Sequence, residues 1–583
     1  MKFTFDLFNG KQSPSQNFKE WIPGWWYYSE GIPLQRGTMP NGDEWLSAGF
    51  FLTEERIDSL IHKMRAEGIE SLFKADGQFL LSLYSKEQNK VHIFRDRTGI
   101  LPVIYAKGEK GLAISIWTGN VITLSGIKAS PSQTIFEQFP LYRIKIAPDT
   151  PIEAIKSLSA RCSLIISNET ISLNEHPMTF PEGKPFTTLH SASSCLGEIL
   201  SHAVKKRVAN CKTVGTLLSG GNDSSLLVAL AREHHSGDIK TVFVTFEDYQ
   251  RNYGKYARQV ANKFHTQHSE LNVTARDYLN LWADTISIIQ DPINSPGTIG
   301  QVAALKELSL SADVMLIGEG ADTIFGGPYW APMLLLSCFG SILPPFIRRP
   351  IKNMSSIIKG NSFLSRSLEK SLKALGTPLS KYIHSEIAFG DEKLIDLIFG
   401  SDIWHKSEEK FLKQISGDMF DSLFLYLMLD WLPFYNAALK RLGFYFGLIY
   451  VFPFLDYELM QNSLRLPKHL RYHYSTKKAA LKKYAQKYFD KQFINKPKEG
   501  FGVPLSKWFA KPEFAPFLGL PLEERSLRRG WWNEKELKQI IELHRAGKGT
   551  DKSAESIPWI TINLELWARI CLEGDSPDLY KIS

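Results

Sequence analysis

Apolar and polar positions change their period along this chain. Up to about residue 185 the apolar runs are short and strand-like. Phe79-Leu-Leu-Ser-Leu-Tyr84 and Val91-His-Ile-Phe94 are alternating or apolar stretches with turn residues between them. Residues 57–66 are the exception, with helical spacing. Thr179-Phe-Pro-Glu-Gly-Lys-Pro-Phe-Thr-Thr188 is rich in Pro, Gly and Thr and reads as a linker. After it, long helical patterns alternate with short apolar runs, which predicts a parallel sheet with crossover helices. Beyond Trp330 the pattern is mostly helical. Residues 329–347 form the longest weakly charged run, broken by Pro332, Pro344 and Pro345. A membrane span needs about 20 mostly apolar residues, so the run predicts a buried helix. Arg348 and Arg349 follow it directly, and contact with a membrane surface is the lesser alternative.

Composition adds bounds. The chain has 583 residues, 43% hydrophobic and 22% charged, which excludes a disordered chain, a collagen and a coiled-coil rod. At roughly 150 residues per domain the length allows three to four domains, fewer if they are large α/β units. A net charge of +8 suits anionic ligands such as phosphates and is too thin to argue for nucleic acid. Five cysteines, widely spread and without CxxC or zinc spacing, fit a reducing compartment. The segment MKFTFDLFNGKQ has no apolar signal-peptide core. A cytoplasmic location without a transmembrane segment is the expectation.

Two loops carry the chemistry. Residues 213–218 read as a strand that runs into Ser219-Gly-Gly-Asn-Asp-Ser-Ser225, and a helical pattern follows. Strand, Gly-rich turn and helix N-terminus make an anion site, with backbone N–H groups and the helix dipole aimed at negative charge. Gly220 and Gly221 let a phosphate approach, and Ser219, Ser224 and Ser225 add donors. Asp223 is an acid inside this phosphate site, which calls for a cation, with Mg²⁺ the usual one. No Gly-Lys-Ser/Thr follows, so the loop is not a Walker A motif. Residues 314–317 form a second apolar strand, followed by Gly318-Glu-Gly-Ala-Asp-Thr-Ile-Phe-Gly-Gly327. Loops at the C-terminal ends of parallel strands face one crevice. Asp322 is then a second Mg²⁺ carboxylate and Glu319 lies near the reacting centre.

Together these loops resemble those of the asparagine synthetase family. Val451-Phe-Pro-Phe-Leu-Asp456, Lys478-Ala-Ala-Leu-Lys482 and Lys496-Pro-Lys-Glu-Gly-Phe-Gly-Val-Pro504 resemble its R-V-P-F-L-D, K-x-x-L-R and R-P-K-x-G-F-x-V-P. Leu72-Phe-Lys-Ala-Asp-Gly-Gln-Phe79 and Arg95-Asp-Arg-Thr-Gly-Ile-Leu-Pro102 resemble its glutaminase motifs L-D-G-x-F and R-D-x-x-G-x-x-P. The resemblance implies an α/β chain. A degenerate Ntn-hydrolase-like α+β (αββα) domain would span residues 1–180, with a linker at 181–190. An ATP-pyrophosphatase (adenine nucleotide alpha hydrolase-like) parallel-sheet domain with a helical C-terminal part would span 191–583. It also implies an ATP-dependent ligase: ATP activates a carboxylate as an acyl-adenylate, pyrophosphate leaves, and an amine displaces AMP. In that scheme Ser219, Gly220, Gly221, Ser224 and Ser225 hold pyrophosphate. Asp223 and Asp322 hold Mg²⁺, and Leu217 and Gly318 complete the ATP site. Glu319 handles the amine proton and Lys498 stabilises developing negative charge. For Lys478 and Lys482 a phosphate role and a solvated surface role stand level.

The chain departs from the family in two places. Glutamine-dependent members carry a cysteine nucleophile after the initiator Met. Here Lys2 stands there, no cysteine precedes Cys162, and Asn41-Gly-Asp-Glu44 is only a remnant of N-G-E-I-Y-N. Glutaminase activity is therefore not expected. The family's E-V-R-V-P-F-L-D reads Ile449-Tyr-Val-Phe-Pro-Phe-Leu-Asp456, with Ile449 and Val451 in place of Glu and Arg. Aspartate would lose polar partners there. The aromatic stretch Tyr445, Phe446, Tyr450 and Phe452 is either a pocket border or core packing. β-Lactam synthetases and lasso peptide macrolactam cyclases, relatives with a dead glutaminase domain, take the amine from the substrate. They imply a carboxylate-bearing small molecule or peptide as substrate, with a precursor peptide and a leader peptidase as partners. Ammonia-dependent amidation of a small acid is the alternative, and a non-catalytic ATP- or partner-binding descendant is the alternative of another class. Nucleotide thiolation or tRNA modification would want reactive cysteines and a stronger basic surface.

Overall fold

The computed structural model describes residues 3–582 except 53–54, 144–147, 168–169, 177–182, 250–253, 327–330, 359–362, 389–391, 401, 415–418, 474–475, 498–501 and 550–551. The N-terminal part is a sandwich of two six-stranded sheets, antiparallel in every pairing. One runs in the order Lys156–Ser157, Ile104–Lys107, Leu112–Ser115, Thr4–Asn9, Trp25–Glu30, Lys19–Ile22. The other runs Thr170–Glu175, Cys162–Ser167, Lys90–Arg95, Gly77–Ser85, Glu44–Phe51, Leu34–Thr38. Alternation sends Phe5 and Leu7 inward, where they join Leu46, Leu80, Ile93 and Leu164 in the inter-sheet core. The outward residues are buried too. Trp45, Phe79, Leu81 and Leu83 meet the helices Ile57–Glu67 and Glu70–Lys74, while Phe8 and Ala113 meet Thr118–Ser125 and Gln133–Tyr142. The layers are αββα.

Past the sandwich, helix α1 (Leu189–Val208) leads into a parallel sheet: β1 (Thr213–Leu217), β2 (Asp238–Phe246), β3 (Gln267–Val273), β4 (Val314–Leu316) and β5 (Ile449–Val451). The spatial order is β3-β2-β1-β4-β5, every pair parallel. Chain direction across the sheet therefore reverses between β1 and β4, a switch point at which the crevice outside the strand ends opens. Helix α2 (Asn222–His234) follows β1. Four helices stand between β4 and the rest of the helical region: α3 (Ala331–Ile342), α4 (Pro345–Ile357), α5 (Phe363–Leu375) and α6 (Leu379–Ile387). The buried helix expected over 329–347 is corrected here. Pro344 and Pro345 split the run into α3 and α4: Pro344 is the N-cap of α4 and Pro345 its first residue, where a missing N–H costs nothing. Leu335, Phe339 and Ile342 of α3 are exposed to solvent. No described helix is long and apolar enough to cross a membrane.

The two parts are fastened by buried polar contacts. Arg207 on α1 reaches Asp76 of the sandwich at 3.1 Å and Asp456 after β5 at 3.1 Å. Arg97 and Lys206 also pair with Asp76, each at 3.3 Å. Burial alone would raise the Asp76 carboxyl, but Arg207 and Arg97 outweigh it and hold the group well below the usual range. Asp456 also accepts from the N–H groups of Glu458 and Leu459, capping the helix Tyr457–Ser463. Nearby, Gln78 donates to the Tyr450 carbonyl oxygen on β5 at 2.7 Å, and fully buried Lys440 donates to the same oxygen at 2.9 Å and to the Gln78 side chain.

Two outcomes follow for stability. Arg207→Ala leaves two buried carboxylates short of their main cation and should cost about 3–5 kcal/mol. A thermal midpoint unchanged from the parent would show that the network does not hold the parts together. Burial pushes the Lys440 ammonium down to about 7 from 10.5. Between those values the unfolded chain holds a proton that the folded chain lacks, so stability from this group rises with pH over that window and is flat below it. Lys440→Met should flatten the rise in melting temperature between neutral and alkaline pH, and parallel pH curves would refute this.

Candidate active site

The turn after β1 is built as a cradle. Gly220 sits at φ +72°, the left-handed region that favours glycine. Ser219 Oγ accepts from the Gly221 N–H at 3.2 Å and lies 3.0 Å from Ser224 Oγ. Asp223 is in the first turn of α2, facing the crevice. Ser225 differs from its neighbours: it is fully buried, is absent from the crevice wall, and its hydroxyl finds no protein partner. After β4, Gly320 is also left-handed at φ +98°, and a Cβ there would lie 2.7 Å from Leu455. The two loops touch, since a Cβ on Gly318 would lie 3.8 Å from that of Asp223.

Lys478 ties them together. Its Nζ lies 2.6 Å from Asp223 and 2.8 Å from Asp322. It is buried and held in a left-handed backbone at φ +53°, a conformation uncommon outside glycine. Burial works to lower its pKa, and the two carboxylates outweigh that and raise it above the ordinary lysine value. One Asp223 oxygen, Oδ1, is buried without a partner. Lys478 is therefore not a solvated surface lysine but a buried cation between the loops after β1 and β4.

Lys496 approaches the cradle from a different segment. Its Nζ donates to the Phe493 carbonyl oxygen at 2.9 Å and to Asn222 Oδ1 at 3.3 Å, and Asn222 donates back to the Ile494 carbonyl oxygen at 3.0 Å. Burial, with Lys482 nearby, pushes Lys496 down to about 7. Lys496 has no assigned role in the motif it belongs to, and its place two residues before Lys498 is the only sequence signal for it. Lys498 itself lies outside the described residues. Lys482 donates to Thr476 Oγ1 at 3.1 Å.

The crevice encloses about 400 Å³. Its lining includes Leu217, Ser219, Asp223, Ser224, Gly318, Glu319 and Asp322 from the two loops. Gln301, Glu386 and Ile387 of α6, Leu427, Trp431, Leu432 and Leu439 also line it. No arginine or lysine is among its described lining residues. The aromatic stretch 445–452 is not part of it. Tyr450 and Phe452 are core residues at 1% exposure, and Tyr445 faces solvent. Ile449 and Val451 lie along β5, paired with Val314 and Leu316, and do not line the crevice either. Apart from Leu217, Leu316 and Ile317 at the strand ends, the apolar side chains that line it lie on helical segments, and nothing in the sequence pattern tells which helix faces the loops.

Family comparisons agree with this geometry. The asparagine synthase family model matches residues 196–569, and the glutamine amidotransferase domain model matches 47–177. Asparagine synthetase [glutamine-hydrolyzing] 1 of Bacillus subtilis is 22% identical over 90% of this chain and 82% of its own length. A putative asparagine synthetase [glutamine-hydrolyzing] of Mycobacterium bovis is 23% identical over 79% of this chain and 72% of its own. The loop cradle, the switch-point crevice and a match over most of the chain converge: this protein belongs to the asparagine synthase family and is an ATP-dependent carbon–nitrogen ligase.

Proposed function

We propose that the chain uses ATP and Mg²⁺ to turn a substrate carboxylate into an acyl-adenylate, with pyrophosphate leaving. An amine on the same substrate then attacks the acyl carbon, and the amide forms as AMP leaves. The reaction is a cyclisation of macrolactam or β-lactam type. The observation that carries this reading is the apolar part of the crevice lining. Ile387, Leu427, Trp431, Leu432 and Leu439 line it along with Glu319 and Glu386, and no arginine or lysine is among its described lining residues. Such a wall suits an amine on a bulky, partly apolar substrate. The α-carboxylate of free aspartate would lack a partner there. A cysteine nucleophile is missing from the strand Thr4–Asn9 and from every position before Cys162, and the amidotransferase match begins only at residue 47. Both favour an amine that does not come from glutamine.

The residues present fit Mg²⁺. Asp223 and Asp322 both lie within 2.8 Å of a single ammonium nitrogen, so they can share one cation. No described cluster of three or more His, Cys, Asp or Glu could hold a metal alone. Two carboxylates, with phosphate oxygens and water completing the shell, is how Mg²⁺ is commonly held beside nucleotides. Bound there, the ion would offset phosphate charge. Ser219, Ser224 and the Gly221 N–H would hold the leaving pyrophosphate, with Lys478 and Lys496 as cations beside it. Glu319 would take the proton of the attacking amine, and Lys498 would stabilise the charged intermediate. A precursor peptide with its leader peptidase is the partner set of the peptide version, and the cytoplasm its setting. The relatives' names, asparagine synthetase [glutamine-hydrolyzing], favour a second reading, amidation of a small acid, and without a cysteine nucleophile before Cys162 free ammonia would supply its nitrogen.

Substrate-dependent ATP–pyrophosphate exchange tests the first step, with aspartate, β-amino acids and precursor peptides as candidate acids. Asp223→Asn and Asp322→Asn should each lower exchange by about 10²-fold or more, and chelation of Mg²⁺ should stop it. Exchange that survives both variants would refute the assignment. Isotope-labelled ammonium tests the second step. Cyclisation gives a product lighter than the substrate by one water and free of label; labelled amide would establish the ammonia reading instead.

A further inference from the structure

The crevice leaves one feature of the chain unused. Fifteen large apolar side chains are exposed among the described residues, and nine of them fall between 335 and 368, on α3, α4 and α5. They are arranged in stripes. On α3, Leu335, Phe339 and Ile342 recur at i, i+4 and i+7; on α4, Phe346, Met354 and Ile357 at i, i+8 and i+11; on α5, Leu364 and Leu368 at i and i+4. Each spacing is one helical face. In a folded protein that face normally turns inward, yet Phe346 is 75% exposed, Ile357 76% and Ile342 81%. α3 and α4 both pack on α5, so the stripes belong to one cluster of helices.

Charge gathers in the same place. Residues 331–375 contain seven Lys and Arg against one acid, Glu369, a net +6 out of the chain's +8. Arg349, Lys352 and Lys370 are exposed beside the stripes. We propose that this three-helix face docks reversibly on an anionic phospholipid surface, with the apolar stripes entering the headgroup boundary and the basic side chains meeting lipid phosphates. An apolar helix face flanked by Lys and Arg is the composition that lies in a membrane interface, and the cytoplasmic leaflet is anionic. Two copies of this face would set like charges against each other, which argues against a dimer. Lys373 on α5 lies 3.9 Å from Glu386 of α6, and Glu386 lines the crevice. The docking helices therefore adjoin the crevice wall, and a substrate gathered at a membrane surface would reach the site from that side.

Flotation of the full chain with phosphatidylcholine vesicles holding about one quarter phosphatidylglycerol tests this. Binding should exceed that to pure phosphatidylcholine and should fall at high salt. The triple change Arg349→Gln, Lys352→Gln, Lys370→Gln should weaken binding on the order of a hundredfold, at about fivefold per charge. Phe346→Ser with Met354→Ser and Ile357→Ser should abolish detectable flotation. These side chains are on the surface, so both variants should keep the parent melting temperature and ATP–pyrophosphate exchange. Equal binding by parent and variants overturns the proposal, as does equal binding to neutral vesicles. Absence of vesicle binding overturns it too, whether the face then proves to join two copies in sedimentation or to capture an acidic protein.

Discussion

The reversal of strand order between β1 and β4 is the constraint from which the chemistry of this chain follows. Parallel neighbours on either side of the switch send their crossover connections to opposite faces, so the space beyond their C-terminal ends stays open. The loops after β1 and β4 must border that space. Once they do, Asp223 and Asp322 bring two negative charges to one crevice, and a cation is required between them. Lys478 supplies it, from a segment more than 150 residues beyond the second loop. The C-terminal region is thus needed to neutralise the site, and folding the sheet alone would leave two carboxylates unpaired.

The N-terminal sandwich carries glutaminase-like motifs, and the contacts of those motifs give them a second, structural use. Asp76 and Gln78 come from the segment that resembles L-D-G-x-F, and Arg97 from the one that resembles R-D-x-x-G-x-x-P. Each now serves the junction. Asp76 takes Arg207 and Lys206, Gln78 holds β5 by the Tyr450 carbonyl, and Arg97 pairs with Asp76 and stacks over Tyr457 at 4.5 Å. β5 is the edge of the catalytic sheet. Removing the sandwich would expose that edge and strand Arg207 and Lys440 in apolar surroundings. These contacts give a structural reason to retain the sandwich whatever its part in the reaction.

Much of this was legible in the sequence because it is local. Period-two runs give the strands at Gly77–Ser85 and Lys90–Arg95, and the helix at Ile57–Glu67 follows its spacing. The SGGxDSS string reports a turn whose glycine must be left-handed, which Gly220 is. What was not legible depends on contacts between distant segments. Nothing near Lys478 announces that its ammonium ends between two aspartates, and nothing in 445–452 shows that Tyr450 and Phe452 turn into the core while Trp431 and Leu439 line the crevice. The run 329–347 misled for a further reason. Hydrophobicity states that a face wants to leave water, not which partner will cover it, and α3 and α4 keep that face outward.

The exposed helices and the crevice bear on each other. A small, charged acid such as aspartate diffuses freely and gains nothing from a membrane-facing surface on its enzyme. A partly apolar peptide or acyl derivative concentrates at a bilayer interface, and there an enzyme docked by α3, α4 and α5 would meet it at high local concentration. The apolar wall of Ile387, Leu427, Trp431, Leu432 and Leu439 asks for such a substrate on grounds of desolvation alone. Wall and docking face rest on separate observations, one inside the fold and one outside it. The Lys373–Glu386 contact joins α5 to α6 where the two meet.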